Sequence, residues 1–388
     1  MTPISPFRIN VRDEILHEID RKVRAYRWHE MPQGPGLEDS WEFGTNQNFL
    51  KRLCSYWSES FDWREAERRL NRFDQFKATV DDVDIHFYKE TGSGPAPRPL
   101  LLVHGWPGSV FEFLELIEPL AHPERFGGDV SDAFTVIVPS LPGYGFSGKP
   151  KAPIAPRQVA GMFDRLMREI LGFDSYIAQG GDWGAIVCGW LGYEGRGCSA
   201  VHLNLMGWQS PGSLPENDEE RAYFARIAGL RARESGYSEL QRTKPQTLGF
   251  AMMDSPVGIC AWIIEKFHGW SDVRRGFENV YSFDQLLTNV MIYLVTETFH
   301  TATWLYYGRA HEAILKPEVP NGARIERPVA VANFPYEFIP FPPRSFVERN
   351  LNVAQWTDMD RGGHFAALEC GDLLMDDVRK FARILPVG

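Results

Sequence analysis

In the stretch YIAQGGDWGAIVCGW, residues 176–190, one carboxylate, Asp182, is set among glycines where an apolar run ends and a second begins. Gly180-Gly181-Asp182-Trp183-Gly184 has the small-x-nucleophile-x-small spacing of a sharp strand-to-helix turn, which lifts the central side chain above a sheet edge. Asp stands where such turns usually carry Ser. Taken alone, the same Asp could serve only to cap the following helix. Two further segments weigh toward chemistry. His104-Gly105-Trp106-Pro107-Gly108-Ser109 follows an earlier apolar run and offers the backbone N–H of Trp106, which with that of Trp183 would form an oxyanion hole. Pro107 has no N–H and fixes the turn without competing. His364, in DRGGHFAALE, arrives late in the chain and completes the order nucleophile, acid, histidine. The acid is assigned to Glu337, the first carboxylate beyond the apolar run of RPVAVANFPYEFIP, over Glu216, which comes well after the run AVHLNLMGW. His104 is read as structural.

An Asp nucleophile changes the reaction. A carboxylate needs no base to attack an electrophilic carbon, and the product is an alkyl-enzyme ester. His364, oriented by Glu337, would then activate water, and the Trp106 and Trp183 N–H groups would hold the tetrahedral oxyanion. Two substrate classes follow, epoxides and haloalkanes, and the leaving group separates them. An epoxide oxygen needs a proton donor, and tyrosine, with a pKa of about 10, stays protonated at neutral pH. Tyr237 and Tyr306 lie on separate helical segments, but spacing alone does not prefer them to Tyr223, Tyr281, Tyr293 or Tyr307. A haloalkane reading would use the Trp183 indole to grip halide. A non-catalytic binding module is the third reading; the complete set of nucleophile, acid and base stands against it.

The elements that must place these residues are legible in the pattern. PLLLVHGWPG, FTVIVPSLPGYGFS, YIAQGGDWGAIVCGWLGY and AVHLNLMGW are apolar, strand-like runs alternating with turns and helical segments, the grammar of a parallel sheet covered on both faces. The fold class is therefore α/β, with a mostly parallel, doubly wound sheet. Before it, RDEILHEIDRKVRAYRW predicts a helix, and FKATVDDVDIHFYKE alternates like a hairpin around Asp81 and Asp82. TGSGPAPRP is a breaker-rich connection. From about residue 210 the strand grammar stops, and SLPENDEERAYFARIAGL and SFDQLLTNVMIYLVTETFHTATWLYYGRAHEAIL carry helical periodicity, with Asn217 or Asp218 as the first cap. The organisation expected is an N-terminal region over 1–95, a first core part over 96–210, a helical cap over 211–322 and a second core part over 323–388. Cap aromatics such as Phe250, Trp262, Trp304 and Tyr307 would favour a hydrophobic substrate.

Composition excludes other classes. A formal charge of −10 with mixed signs offers no basic face for nucleic acid. No signal peptide and no membrane anchor are read, so a cytoplasmic protein is expected. The five cysteines, Cys54, Cys188, Cys198, Cys260 and Cys370, show no CxxC spacing, and the ten histidines form no ligand pattern. Buried thiols, no metal and no cofactor are expected, and a homodimer is compatible with the sequence without being specified by it.

The runs FDWR, HGWPGS, PSLPGYGFS, GGDWG, HLN, ESGY, TKPQTLGFAMMDSPVG, WIIEKF, LLTNVMIY and GGHFAALE resemble the microsomal-type epoxide hydrolases, a family that includes juvenile-hormone and soluble microbial enzymes. The resemblance covers nearly the whole chain, and the string from Glu234 to Phe267 is its most specific part. It implies an α/β-hydrolase core, a helical cap and an N-terminal meander. It also implies Asp182 as nucleophile, His364 as base, Glu337 as acid, and Tyr237 and Tyr306 as the ring-opening pair. The partners implied are a small hydrophobic epoxide and water; which epoxide, and whether it serves detoxification, catabolism or biosynthesis, is left open.

Overall fold

The computed structural model describes residues 4–37, 39–312 and 319–386. Their strands are β1 (Ser5–Phe7), β2 (Gln75–Val80), β3 (Val83–Glu90), β4 (Arg98–Val103), β5 (Phe134–Pro139), β6 (Tyr176–Gly180), β7 (Cys198–Leu203), β8 (Ile325–Asn333) and β9 (Leu351–Asp358). They form a single sheet in the order β1-β2-β3-β5-β4-β6-β7-β8-β9. From β5 through β9 every neighbouring pair is parallel, while β1, β2 and β3 join antiparallel at one edge. The apolar runs explain the centre: all six residues of β5 and the last four of β4 are buried, as two-sided coverage demands.

The antiparallel edge extends the mostly parallel sheet that the sequence predicts. The hairpin expected at Asp81 and Asp82 is present, with φ of 50° and 63° at its two turn residues, a left-handed pair that Asp tolerates. Yet the hairpin does not stay within an N-terminal region: β3 pairs with β5, so the sheet runs across the division drawn near residue 95. β9 departs from the apolar strand pattern, carrying polar residues at Asn352, Gln355 and Asp358. It is an edge strand, with one side of its backbone unpaired, so polar positions are admissible.

Between β7 and β8 the chain is helical, with helices at Asp218–Glu234, Gly236–Thr243, Pro245–Met252, Pro256–Trp270, Phe283–Val295 and Phe299–His311. Asn217 caps the first, its side chain accepting from the Glu220 N–H. Residues 313–315, the end of the expected helical segment, lie outside the described residues. The N-terminal helices Asp13–Arg24 and Gln47–Glu59 pack on this block. Trp41 stacks on His268 at 3.9 Å, Lys22 pairs with Asp254 at 2.7 Å, and the Thr45 hydroxyl donates to the Ala261 carbonyl at 2.6 Å. All five cysteines are buried free thiols. Among the described residues no helix is long and apolar enough to cross a membrane.

The helical block is pinned to the sheet side through Glu220, whose side chain is fully buried. Its carboxylate accepts from the Arg349 guanidinium at 2.7 and 2.8 Å, from Ser345 Oγ at 2.6 Å and from the Glu216 N–H at 2.8 Å. Arg349 holds this carboxyl down to about 2, against the opposing effect of burial. A folded-state pKa below the ordinary 4.5 stabilises the fold fully above about pH 4.5, and that stabilisation is lost as pH falls toward about 2. Glu220→Gln should therefore melt at a lower temperature at pH 7 and lose less stability across that acid window. Thermal unfolding over a pH series checks this, and equal melting temperatures at pH 7 would refute the role.

Candidate active site

β4 and β6 are neighbours in parallel register, with Val103 opposite Gly180. The chain passes from β4 to β5 on one side and then to β6 on the other, so the ends of β4 and β6 border a switch point where such sheets place their sites. The His104–Ser109 loop and the Asp182 turn therefore meet at one edge. The turn is as tight as the glycines implied: a Cβ on Gly184 would lie 1.9 Å from the Val103 carbonyl oxygen, and Asp182 itself takes φ 48°. A Cβ on Gly105 would lie 2.4 Å from Asp182 Oδ1, so only glycine lets the two loops close. The Trp106 N–H then donates to Asp182 Oδ1 at 2.7 Å.

Glu337 follows β8 and His364 follows β9, whose ends are paired at Asn333 and Asp358. His364 Nδ1 lies 2.9 Å from both Glu337 oxygens, and its Nε2 lies 3.5 Å from Asp182 Oδ2. Burial alone would lower the His364 pKa; the Glu337 and Asp182 carboxylates outweigh it and raise it well above the usual value. Glu216 is not in this site; it is paired with Arg349 at 3.4 Å. His104 is buried and neutral, its pKa pushed down to about 4 by burial, and its Nε2 accepts the Leu141 N–H at 3.1 Å.

Tyr237 and Tyr306 come from different helices to one place. Their ring centroids are 5.9 Å apart, Tyr237 stacks on Trp106 at 5.2 Å, and Tyr306 stands edge-on to Trp183 at 4.6 Å. Burial first, and the Asp182 charge with it, raises both hydroxyl pKa values, so both stay protonated at neutral pH. The other tyrosines point elsewhere. Tyr223 donates to the Pro340 carbonyl, Tyr281 bonds Ser271, Tyr293 donates to the Gly108 carbonyl, and Tyr307 stacks on His311.

Other residues of the site carried no signal of their own. Trp270 lies 4.9 Å from the His364 ring and 5.2 Å from Tyr237, and stacks on Phe338 at 4.3 Å. These two replace Phe250 as wall: Phe250 is 79% exposed, because its helix turns that position outward. Asn289 Nδ2 and the Tyr293 hydroxyl donate to the carbonyls of Pro107 and Gly108 at 2.8 and 2.6 Å, so a cap helix holds the Trp106 loop. Glu369 accepts the N–H groups of Gly363 and Phe365, which flank His364, and that of Asp272, at 2.9, 2.9 and 2.7 Å.

The site can deliver a carboxylate to a carbon, hold an oxyanion on a backbone N–H, and move a proton through an oriented histidine. Glu369→Gln, which leaves one acceptor for three part-buried donors, should cost about 1 kcal/mol or more of stability and slow turnover together. Calorimetry with steady-state kinetics checks this; loss of neither would show that the carboxylate does not hold the His364 loop.

Residues 4–113 match the family described as Epoxide hydrolase N terminus, and residues 98–203 match the alpha/beta hydrolase fold family. Epoxide hydrolase 1 of Sus scrofa is 34% identical over 98% of this chain and 89% of its own length. Juvenile hormone epoxide hydrolase 2 of Ctenocephalides felis is 34% identical over 97% of this chain and 84% of its own. The solved structure of the Aspergillus niger epoxide hydrolase superposes with a TM-score of 0.85 at 32% identity, covering 98% of this chain and 96% of that one.

Proposed function

This chain belongs to the epoxide hydrolases, hydrolases of ether bonds on the α/β-hydrolase fold, and from that premise we propose that it converts a small hydrophobic epoxide to a vicinal diol through an ester on Asp182. The observation that supports this most is the clamp on one carboxylate: Oδ1 on the Trp106 N–H and Oδ2 facing His364 Nε2, with two protonated tyrosines nearby, Tyr306 buried and Tyr237 half-buried.

Asp182 attacks one ring carbon. The new C–O bond forms as the ring C–O bond breaks, and a proton from the Tyr237 and Tyr306 pair passes to the leaving oxygen. Esterification removes one of the two carboxylates that raise the His364 pKa. The imidazolium then gives up its proton, which restores the tyrosine, and the neutral ring becomes a base. It takes a proton from water, whose oxygen attacks the ester carbon; the Trp106 and Trp183 N–H groups hold the oxyanion. The bond from the ester carbon to the alkyl oxygen then breaks, that oxygen takes the proton from His364 to complete the diol, and the proton left on the new Asp182 carboxyl recharges His364. Atoms balance as epoxide plus water giving diol.

The haloalkane reading has one feature in its favour: the indole N–H groups of Trp106 and Trp183 are buried without a hydrogen-bond partner. The family and the two tyrosines favour the epoxide.

Single-turnover reaction of excess enzyme with an aryl epoxide in oxygen-18 water should give unlabelled diol and label in Asp182. Labelled diol with unlabelled Asp182 would mean direct attack by water and end the ester reading. His364→Gln should accumulate the Asp182 adduct by mass spectrometry. Changing Tyr237 and Tyr306 together to Phe should slow adduct formation by roughly a hundredfold or more, and an unchanged rate would remove them from the chemistry.

A further inference from the structure

Asp182 and His364 line a small cavity of about 20 Å³, and no residue of the helical block 218–311 lines it. That volume is room for one water molecule. Its wall is polar where a water would need it to be. Gln179 is 1% exposed and its Oε1 has no partner, while its Nε2 is committed to Asn204 Oδ1 at 2.9 Å. Glu112 completes the polar wall, with Asp182 and His364 on the reacting side.

Glu112 reaches this place through a gap in the His104–Ser109 loop. A Cβ on Gly108 would fall 1.4 Å from Glu112 Oε1, so the carboxyl group occupies the space that a side chain at 108 would fill. The second glycine of HGWPGS thus admits a third acid to the site, as the first admits Asp182.

We propose that this cavity holds the water that hydrolyses the Asp182 ester, and that Glu112 and Gln179 are the groups that hold it there. The proposal rests on the ester reading above. Its geometric reason is that the alkyl group of an ester on Asp182 fills the space toward Tyr237 and Tyr306, so a water waiting on that side would be displaced by the substrate itself. The cavity is lined by both Asp182 and His364 and by neither tyrosine. Burial, and then the Asp182 charge, pushes the Glu112 carboxyl up to about 8 despite the opposing His364 charge. At neutral pH it is therefore an uncharged acid that can donate to one water and accept from it, without repelling Asp182. In the step, the held water gives its proton to His364 Nε2 as its oxygen bonds the ester carbon. The bond from that carbon to the alkyl oxygen then breaks, and the diol oxygen takes the proton.

The experiment is rapid-quench single turnover with styrene oxide, followed by intact-mass measurement of the ester, for the unmodified enzyme, Glu112→Met and Glu112→Gln. Met keeps the length and removes the polar end. It should form the ester at the unmodified rate and hydrolyse it roughly tenfold or more slowly, so that the ester accumulates. Gln still donates and accepts, so its hydrolysis at pH 7 should stay within about threefold of the unmodified rate. It should also lose the decline that the unmodified enzyme shows at alkaline pH as Glu112 ionises. Hydrolysis by Glu112→Met at the unmodified rate, or equal slowing of both steps, would overturn the proposal, as would an unchanged alkaline decline in Glu112→Gln. Failure of the unmodified enzyme to form any ester would be a different result: it would overturn the ester reading and this proposal with it.

Discussion

The close approach of β4 and β6 at their carboxyl ends is the constraint on which the rest depends. With Val103 opposite Gly180, the helix that follows β6 begins against the Val103 carbonyl, and the residue between must bend into a left-handed turn. Asp182 is that residue. Any side chain at 184 would push the helix from the sheet, and any at 105 would push the Trp106 N–H from the carboxylate. The strain of a positive φ is thus held by packing from both sides, which is how an otherwise disfavoured backbone persists.

A consequence is that acidic groups crowd one buried volume. Asp182, Glu337, Glu112 and Glu369 all lie close to His364, and each is accommodated differently. Glu337 is bound to the imidazole, Asp182 to a backbone N–H and the same ring, and Glu369 to three backbone N–H groups. Glu112, on which burial outweighs a hydrogen bond from the Ser109 backbone, is uncharged at neutral pH. Burial of like charges is tolerable only when each is paired or neutralised, and each of these four carboxyl groups meets that condition in a different way.

The cap is the other half of the site, and it is tied down from two directions. Asn289 and Tyr293 grip the carbonyls of the Trp106 loop from above, and Glu220 anchors the first cap helix to the segment between β8 and β9. The N-terminal segment joins both layers, since β1 to β3 extend the sheet while Trp41, Thr45 and Lys22 hold cap helices. Tyr237 and Tyr306 are therefore presented to Asp182 by a body with several independent attachments.

The local patterns were legible without coordinates. Glycines flanking Asp182, apolar runs of strand length, the Asp81-Asp82 turn and the Asn217 cap each express a short-range steric or hydrogen-bonding rule, and each reads directly from neighbouring residues. The order of Asp182, Glu337 and His364 was legible too, because parallel strands place their following loops at one edge. What the tertiary structure decided is everything that depends on distant partners. Spacing could not separate Tyr306 from Tyr307, because adjacent helix positions differ by about 100° and only the docking of that helix says which turns toward Trp183 and Tyr237. It could not show that Phe250 faces out, that Trp270 and Phe338 wall the site, or that β9 is an edge strand and so admits polar residues. Nor could it single out Glu112 or Glu369 among the chain's 51 acidic residues. A carboxylate in sequence carries no mark of its surroundings, and burial, a missing Cβ at residue 108 and three converging N–H groups are properties of the packed chain alone.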